Sequence, residues 1–220
     1  MIPITIVDNF LDEPHQMVEF SKQLIFTPEP DGRWAGIRSP ELRDIDPFLY
    51  DNINKKVIAL FHDMESIDHT DVDVSMTFQK IPSTLHHGWV HNDNCFMTGI
   101  LYLNENPLVN SGTSLYTSKE GTLINLDHTE QKRASNLRGS ISEIEMEVQE
   151  EHNNQFEKTV DVKGKYNRLT LFHGNVHHSA NNLGLDNGED RLTLVMFFHR
   201  VIGREMPIDR MKFHYLLVGF

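Results

Sequence analysis

The hydrophobic pattern of the first part of the chain predicts two helices. The first follows Asp12-Glu13-Pro14, a helix start with proline in the first turn, and its apolar positions are Met17, Phe20 and Leu24. The second follows Asp46-Pro47 and has its apolar positions at Leu49, Ile53, Val57, Leu60 and Met64. Both stripes are typical of helices that pack against a sheet. Residues 27–40 between them are rich in Gly and Pro and predict a loop.

Beyond residue 70 the pattern changes to the period of two that is typical of β-strands. With a short N-terminal strand included, the predicted strands cover residues 2–7, 72–81, 97–104, 113–117, 158–162, 169–172 and 192–198. Short strands separated by Gly and Asn predict a mainly β, α+β domain with a jelly-roll core. The N-terminal helices are expected to pack on one sheet of that core.

The length predicts one domain, residues 1–220, in three parts. Residues 1–70 form a helical support, and residues 71–126 with 157–220 form the jelly-roll core. Residues 127–156 are a polar insertion, rich in Glu, Gln, Asn and Ser, and its part around residues 141–156 has helical character. Two interpretations stay open for the insertion: a solvated excursion, or a mobile lid over a site.

Composition limits the classes of partner. Hydrophobic residues make up 39% of the chain and charged residues 24%, as in ordinary globular proteins, and the net charge of −12 argues against nucleic acid. The single cysteine, Cys95, excludes an internal disulfide and favours a reducing, cytoplasmic location. Neither a signal peptide nor a membrane-spanning apolar run is visible, so no membrane partner is expected. The pattern does not indicate an oligomeric state.

Candidate chemistry begins at His91-Asn92-Asp93. A His and an Asp two residues apart point to the same side if they lie on a β-strand. One imidazole and one carboxylate aimed at the same point are two of the three ligands of the facial triad that binds Fe(II) in non-haem oxygenases. In a chain with 13 histidines this pair alone is a weak signal.

Two stretches far downstream strengthen it. Residues 166–180 read as a strand, a Gly-Asn turn and a second extended segment that carries His177 and His178. Arg191 and Thr193 then share one face of an apolar strand, where a guanidinium beside a hydroxyl is well suited to grip a carboxylate.

With these stretches in place, the chain resembles the Fe(II)- and 2-oxoglutarate-dependent dioxygenases, specifically the small prolyl-4-hydroxylase-like branch common in phage and bacterial genomes. The resemblance runs in order along most of the chain. It includes Val7-Asp8-Asn9-Phe10-Leu11, Trp34-Ala35-Gly36-Ile37-Arg38-Ser39, Gly99-Ile100-Leu101-Tyr102-Leu103-Asn104, Ser111-Gly112-Thr113-Ser114, Asn167-Arg168-Leu169 through His178-Ser179-Ala180, and Arg191-x-Thr193.

The resemblance implies a double-stranded β-helix and a set of roles. His91, Asp93 and His178 would hold Fe(II), with His177 at the surface or behind the ligands. Arg191 and Thr193 would hold 2-oxoglutarate, and further contacts to it are expected from Tyr102, Gln79 and Thr77. The implied reaction uses O2 and hydroxylates a substrate while 2-oxoglutarate becomes succinate, although demethylation, desaturation and ring closure use the same chemistry.

Several alternatives stay open. A jelly roll of this kind can serve as a non-catalytic metal- or ligand-binding accessory module, and a zinc enzyme is disfavoured because Arg191-x-Thr193 would need another role. The substrate is a small molecule or a protein side chain: a prolyl group, a free amino acid and a nucleotide-derived compound all fit the pattern. Arg38, in the early loop, is a candidate to reach the site and meet an anionic substrate.

Overall fold

Ten strands and five helices make up the described part of the chain, residues 4–62, 71–107, 109–119, 129–183 and 189–202 of a computed structural model. The strands are β1 (Thr5–Val7), β2 (Thr27–Pro28), β3 (Ile37–Arg38), β4 (Asp71–Ile81), β5 (Met97–Tyr102), β6 (Gly112–Ser118), β7 (Phe156–Lys163), β8 (Arg168–His173), β9 (His177–Asn181) and β10 (Arg191–Ile202). The helices are α1 (Pro14–Lys22), α2 (Leu42–Ile45), α3 (Pro47–Ile58), α4 (Thr129–Arg138) and α5 (Glu143–Asn153), and a 3-10 turn covers Ser83–Leu85.

The larger of two sheets has seven strands in the order β1-β8-β5-β10-β4-β3-β2, and neighbouring strands run antiparallel. The long strand β10 lies near the centre, so both of its edges are paired. Its register sets Thr193 opposite Gln79 on β4 and opposite Tyr102 on β5. Residues that are distant in sequence therefore meet on one face of this sheet.

The smaller sheet has three antiparallel strands in the order β7-β6-β9. A small apolar cluster joins its inner face to the larger sheet and consists of Ile100, Tyr102, Leu115 and Phe172. The second connection is made by the backbone, through an isolated antiparallel bridge between His91 and His178 of β9.

The main hydrophobic core lies on the other face of the larger sheet, beneath the N-terminal helices. Helix residues such as Met17, Ile53 and Val57 pack there against Met76, Phe78, Leu194 and other strand residues. The alternation of side chains along β10 explains the division. Leu192, Leu194, Met196 and Phe198 belong to this core, whereas Arg191, Thr193, Val195 and Phe197 face a cavity between the sheets. The expected fold, a jelly roll of the double-stranded β-helix type with helices packed on one sheet, is confirmed.

Some local predictions differ from the structure. Strands β2 and β3 and helix α2 occupy two to four residues each, which is too short to show a period. Helix α3 ends at Ile58, before Leu60, because the last apolar positions belong to a following turn. Residues 2, 3 and 64 lie outside the described ranges.

Candidate metal centre and cavity

The backbone brings His91 and His178 side by side without a regular ladder. The His91 amide donates to the carbonyl of His178 at 3.0 Å, and the His178 amide donates to the carbonyl of His91 at 2.7 Å. Asp93 is held separately, because its amide donates to the carbonyl of Gly174 at 2.8 Å. The segment from His91 to Asp93 is therefore irregular and not the predicted strand, and backbone hydrogen bonds hold it at His91 and at Asp93.

Gly174 is required by the closeness of this arrangement. A Cβ atom on Gly174 would lie 2.2 Å from the carbonyl oxygen of Cys95, well inside any real contact. The missing side chain lets the segment that carries Asp93 approach the turn between β8 and β9.

The three side chains converge on one point. Asp93 Oδ2 lies 3.3 Å from His178 Nε2, and Asp93 Oδ1 lies 3.7 Å from His91 Nε2. One ligand atom from each of the three residues lies within 4.8 Å of the others, and the two imidazole centroids are 4.4 Å apart. His178 is buried, whereas His91 keeps 40% of its side chain exposed towards the cavity.

Hydrogen bonds fix which nitrogen of each imidazole is available. Nδ1 of His91 lies 2.8 Å from the carbonyl oxygen of Trp89, and Nδ1 of His178 lies 2.9 Å from that of Val176. A carbonyl oxygen only accepts, so Nδ1 carries the proton and Nε2 presents its lone pair. Thr98 donates from Oγ1 to Asp93 Oδ2 at 2.6 Å and orients the carboxylate.

The pKa values favour the forms that bind metal. Burial lowers the pKa of His91, and the neighbouring His178 and Lys132 act in the same direction. Burial alone would raise the pKa of Asp93, but its contacts with His178 and His91 and the hydrogen bond from Thr98 hold it well below its usual range. Neutral His91 and ionised Asp93 are the ligand states near neutral pH.

A divalent metal fits these residues. Ligand atoms about 2.1 Å from a common metal and at roughly right angles lie about 3 Å apart, close to the 3.3 Å and 3.7 Å separations found here. Two imidazole nitrogens and one carboxylate oxygen are a suitable donor set for Fe(II). The arrangement leaves one side of the triad open to the cavity.

The predicted co-substrate residues gather at another part of the same cavity. Arg191 and Thr193 line it and are 6% and 1% exposed. Burial lowers the pKa of Arg191, while its contact with Tyr102 opposes that change; the guanidinium carbon lies 5.3 Å from the ring centroid of Tyr102. Among the described residues no carboxylate lies within ion-pair distance of Arg191, so its charge is free to meet a ligand.

The other candidates are placed less uniformly. Gln79 lines the cavity, and its amide donates to the carbonyl of Ala35 at 2.8 Å. Tyr102 lies behind Arg191 and donates to Thr113 Oγ1 at 2.8 Å. Thr77 is not among the lining residues; its hydroxyl is buried, with no hydrogen-bond partner in the described part of the chain. His177 turns away from the triad, towards the ring of Phe156 at 4.8 Å.

The cavity has a volume of about 380 Å³, and the polar insertion supplies one of its walls through residues that the sequence did not single out. Helix α4 contributes Lys132, Ser135 and Asn136, and α5 contributes Gln149. The insertion thus lies against the site, and its motion as a lid stays a prediction. For this wall, the sequence indicated only the helical character of residues 141–156. Helix α4 could not be predicted in this way, because its cavity face is polar and forms no apolar stripe.

Comparison with solved structures identifies the class of fold. HygX from Streptomyces hygroscopicus, solved with nickel and 2-oxoglutarate bound, has a TM-score of 0.55 at 10% identity, covering 89% of this chain and 82% of that one. EvdO2 from Micromonospora carbonacea var. aurantiaca has a TM-score of 0.52 at 12% identity, with 94% and 90% covered. SnoN, a non-haem α-ketoglutarate-dependent epimerase from nogalamycin biosynthesis, has a TM-score of 0.50 at 12% identity, with 94% and 83% covered.

The chain therefore has the fold of the Fe/2-oxoglutarate-dependent oxygenases, and the predicted resemblance to this superfamily is confirmed at that level. Residues 1–198 match a family described as "Family of unknown function (DUF6445)", and the chain belongs to that family. No curated protein sequence matches it. None of the described helices is long and apolar enough to cross a membrane.

Proposed function

We propose that this protein is an Fe(II)- and 2-oxoglutarate-dependent oxygenase that hydroxylates a substrate C–H bond. The observation that carries the proposal is the pairing of two sites in one cavity: a convergent His91–Asp93–His178 triad and the buried, unpaired Arg191. A metal site alone would suit a zinc protein equally well. A second, anion-binding site in the same cavity is what a chelating dicarboxylate co-substrate needs.

The division of labour follows from the side chains. When bound, Fe(II) and 2-oxoglutarate supply oxidation by O2, coupled to decarboxylation of 2-oxoglutarate to succinate. His91, Asp93 and His178 hold the metal on one side, and their hydrogen bonds to Trp89, Val176 and Thr98 keep them oriented.

Arg191 is suited to the far carboxylate of 2-oxoglutarate. A guanidinium binds a carboxylate through two parallel hydrogen bonds, and burial strengthens that pairing because water does not compete. Thr193 offers a hydroxyl from the same face of β10, next to Gln79 in register. The ring of Tyr102 supports the guanidinium from behind.

Apolar side chains exclude water from the space between these two sites. Ile100, Val195 and Phe197 line the cavity there, so an anchored 2-oxoglutarate would be held in surroundings that favour a single pose. Hydroxylation is the default outcome; demethylation, desaturation and ring closure stay open. The substrate is proposed to be a small molecule or a protein side chain, and the cytoplasmic location and phage origin stay predictions.

The test is an anaerobic titration of the apo protein with Fe(II) and 2-oxoglutarate. We expect the weak visible metal-to-ligand charge-transfer band that reports chelation of iron by the keto acid. Arg191→Ala should raise the 2-oxoglutarate concentration needed for the band roughly 10- to 100-fold, because a charge-assisted hydrogen-bonded pair is lost. Arg200→Ala, on the exposed end of the same strand where Arg200 pairs with Asp71 at 3.0 Å, is the matched control.

Two results would contradict the proposal. A folded, iron-loaded protein without the band would indicate the alternative, a non-catalytic metal- or ligand-binding jelly roll. An Arg191→Ala protein with unchanged 2-oxoglutarate dependence would remove this residue from the anion site. Succinate release dependent on Fe(II) and 2-oxoglutarate then separates an enzyme from a binding module.

A further inference from the structure

The charge of the cavity is opposite to that of the protein. The whole chain has 32 acidic and 20 basic residues. The described lining contains Asp93 as its only carboxylate, whereas its basic residues are Arg33, Arg38, Lys132 and Arg191. A cationic cavity in an acidic protein concentrates anions and discriminates against cations.

Arg33 does not add to this field, since it is already neutralised. Its guanidinium pairs with Asp31 at 2.6 Å and lies 3.5 Å from a carboxylate oxygen of Glu29. Its side chain is 62% exposed. Arg33 is therefore a paired surface cation at the edge of the cavity.

Arg38 is different in both respects. Its guanidinium lies 4.3 Å from the ring centroid of Trp34 and 5.3 Å from that of Phe197, so it is sandwiched by aromatic rings. Its Nε atom is buried with no hydrogen-bond partner, and it has no carboxylate within ion-pair distance among the described residues. Burial lowers the pKa of Arg38 to about 10, which leaves it charged at neutral pH.

Lys132 brings a second free cation from the polar insertion. It lies on α4, lines the cavity, and forms no ion pair with any described side chain. Burial lowers its pKa, and the field of Asp93 acts in the opposite direction. Lys132 lines the same cavity as His91 and Asp93.

The loop of Arg38 and the helix of Lys132 form one continuous wall. Asn136, one turn after Lys132, donates from its amide to the carbonyl of Gly32 at 2.9 Å. Gly32 has a φ of +66°, and a Cβ there would lie 2.5 Å from the carbonyl oxygen of Arg133. The glycine thus permits the close approach that sets both cations around the same space.

The proposed co-substrates leave these two charges unbalanced. Asp93 and the chelating carboxylate of 2-oxoglutarate would balance Fe(II), and the far carboxylate would balance Arg191. Asp93 is the only carboxylate of the described lining, so Arg38 and Lys132 keep no ion-pair partner there once Asp93 binds the metal. Arg38 and Lys132 are half-buried, and cations partly removed from water without a partner are costly, so a ligand that neutralises them gains binding energy.

We propose that Arg38 and Lys132 bind the anionic group of the substrate that the proposed oxygenase oxidises. This substrate is a small molecule that carries a carboxylate or a phosphate. The inference rests on the proposed function and names its substrate class. The cavity volume of about 380 Å³ lies near the lower end of ligand pockets, and 2-oxoglutarate takes part of it, which favours a small substrate over a folded protein. A C–H bond close to the anionic group would then face the metal.

The experiment is a pair of titrations on protein loaded with redox-inert Ni(II). In the first, 2-oxoglutarate is titrated by calorimetry. In the second, with 2-oxoglutarate saturating and the ionic strength fixed, the probes are inorganic phosphate and propionate, with propionamide as the neutral match. We expect saturable binding of at least one anion and none of propionamide.

The variants separate the free cations from the paired one. Arg38→Gln and Lys132→Gln should each weaken binding of the anion tenfold or more, with less than about a twofold effect on 2-oxoglutarate. Arg33→Gln, the paired arginine of the same loop, and Arg133→Gln, the exposed neighbour of Lys132, should leave anion binding unchanged. Normal 2-oxoglutarate binding in each variant also shows that the cavity is folded.

Each failure has its own signature. Absence of anion binding in a protein that binds 2-oxoglutarate would overturn this inference and leave the proposed function intact. Equal losses in all four variants would mean a diffuse field without a built site. Loss of 2-oxoglutarate binding in Arg38→Gln or Lys132→Gln would assign these cations to the co-substrate, and failure of wild-type protein to bind 2-oxoglutarate would overturn the proposed function itself.

Discussion

Neighbouring residues in an extended chain have opposite surroundings, and His177 and His178 show the consequence. His178 is buried against the ring of Phe172, at a centroid distance of 4.7 Å, and faces Asp93. His177 is half-buried and lies against Phe156 on the other side of β9. One residue of displacement therefore separates the proposed metal ligand from a packing residue.

Substitution of the two histidines by alanine should have very different effects on metal binding. His178→Ala removes one of three ligands and should weaken the affinity for Fe(II) by more than roughly 100-fold, beyond the 10- to 100-fold typical of groups that only orient a ligand. His177→Ala should retain most of the affinity. A chelator competition at fixed pH measures both, and the reverse pattern would mean that His177 is the ligand.

At this scale the sequence indicated the residues with recognisable chemistry and missed those whose role comes from position. Arg191-x-Thr193 was visible because strand periodicity places its members together. The His-x-Asp pair was visible by its residue types and spacing, although the segment that carries it is irregular. Lys132 was not, because a lysine in a polar helix looks the same whether it faces water or a cavity. Thr77, expected beside Gln79 at the co-substrate, is on the same strand but outside the lining.

Among the elements, helix α5 has a role beyond covering the cavity. Asn153, near its end, accepts from the Val90 amide at 2.8 Å and donates to the Gly88 carbonyl at 3.1 Å. Gln149 donates to the carbonyl of His87 at 3.1 Å. The segment that leads into His91 bonds to β9 at only a few points, among them Gly88 to Ala180 and the His91–His178 bridge. The insertion supplies further hydrogen bonds to its backbone.

Asn153→Ala should weaken the positioning of His91, the first proposed metal ligand, because Asn153 holds the backbone just before it. Two hydrogen bonds to the backbone are lost, at about 0.5–1.5 kcal/mol each, and we expect Fe(II) affinity to fall about tenfold with a lower melting temperature. Glu147→Ala, an exposed position on the same helix, is the control. The measurement is metal titration with thermal unfolding of the apo protein, and unchanged affinity in Asn153→Ala would show that His91 is held without α5.

The start of α5 could be predicted from local chemistry. Ser142 and Glu145 form a capping box, and Arg138 pairs with the same glutamate. Helix α4 was not predicted because its buried residues, Ser135 and Asn136, are polar, so the helix shows no hydrophobic periodicity. Hydrophobic periodicity detects burial against a core and fails where burial is against a polar cavity.

For the whole molecule, an ion-pair cluster holds the N-terminal segment to the larger sheet. Asp8 accepts from Arg168 at 2.6 and 3.1 Å and from Lys165 at 2.8 Å. Nearby, the Asn167 side chain accepts from the Leu11 amide and donates to the Leu11 carbonyl, at 2.8 Å each. The hydrogen bonds from Arg168 and Lys165 hold the pKa of Asp8 far below its ordinary value of 3.8.

The depressed pKa of Asp8 fixes the sign of a pH effect. The unfolded chain binds this proton more readily than the folded one, so the stabilisation by Asp8 is complete above about pH 5 and is lost as the pH falls through 4 and lower. Asp8→Asn should cost about 1 kcal/mol at pH 7, a value limited by the 36% exposure of the carboxylate. The difference between wild type and variant should shrink towards pH 3.

Urea unfolding of both proteins at pH 7, 5 and 3 makes this measurement. Asp12→Asn is the control, since Asp12 also pairs with a lysine, at 3.0 Å to Lys56, but is 92% exposed. A smaller effect is expected there. A stability difference for Asp8→Asn that stays constant with pH would mean that the asparagine is destabilising for steric reasons.

The overall fold was more predictable than the site. Asp71–Ile81 shows alternation and Arg191–Ile202 contains a β-favouring apolar run, so both long strands were visible, and their order along the chain limits the topology. The site depends on contacts that no period encodes. The bridge from His91 to His178, the approach of Gly174 to Cys95 and the seating of α4 on Gly32 each join segments far apart in sequence.

The insertion lies between β6 and β7 in the sequence, and β7 is an edge strand of the smaller sheet. A change in the length of this excursion leaves the register of β4, β5 and β10 untouched. A single residue added after Thr193 would instead shift one part of β10 by one position relative to the other, so that side chains facing the cavity and the core would change places in the shifted part. Under the proposed function, the architecture therefore has one region that can vary with the substrate, and a central strand where even a one-residue insertion would disrupt both the proposed co-substrate site and the core.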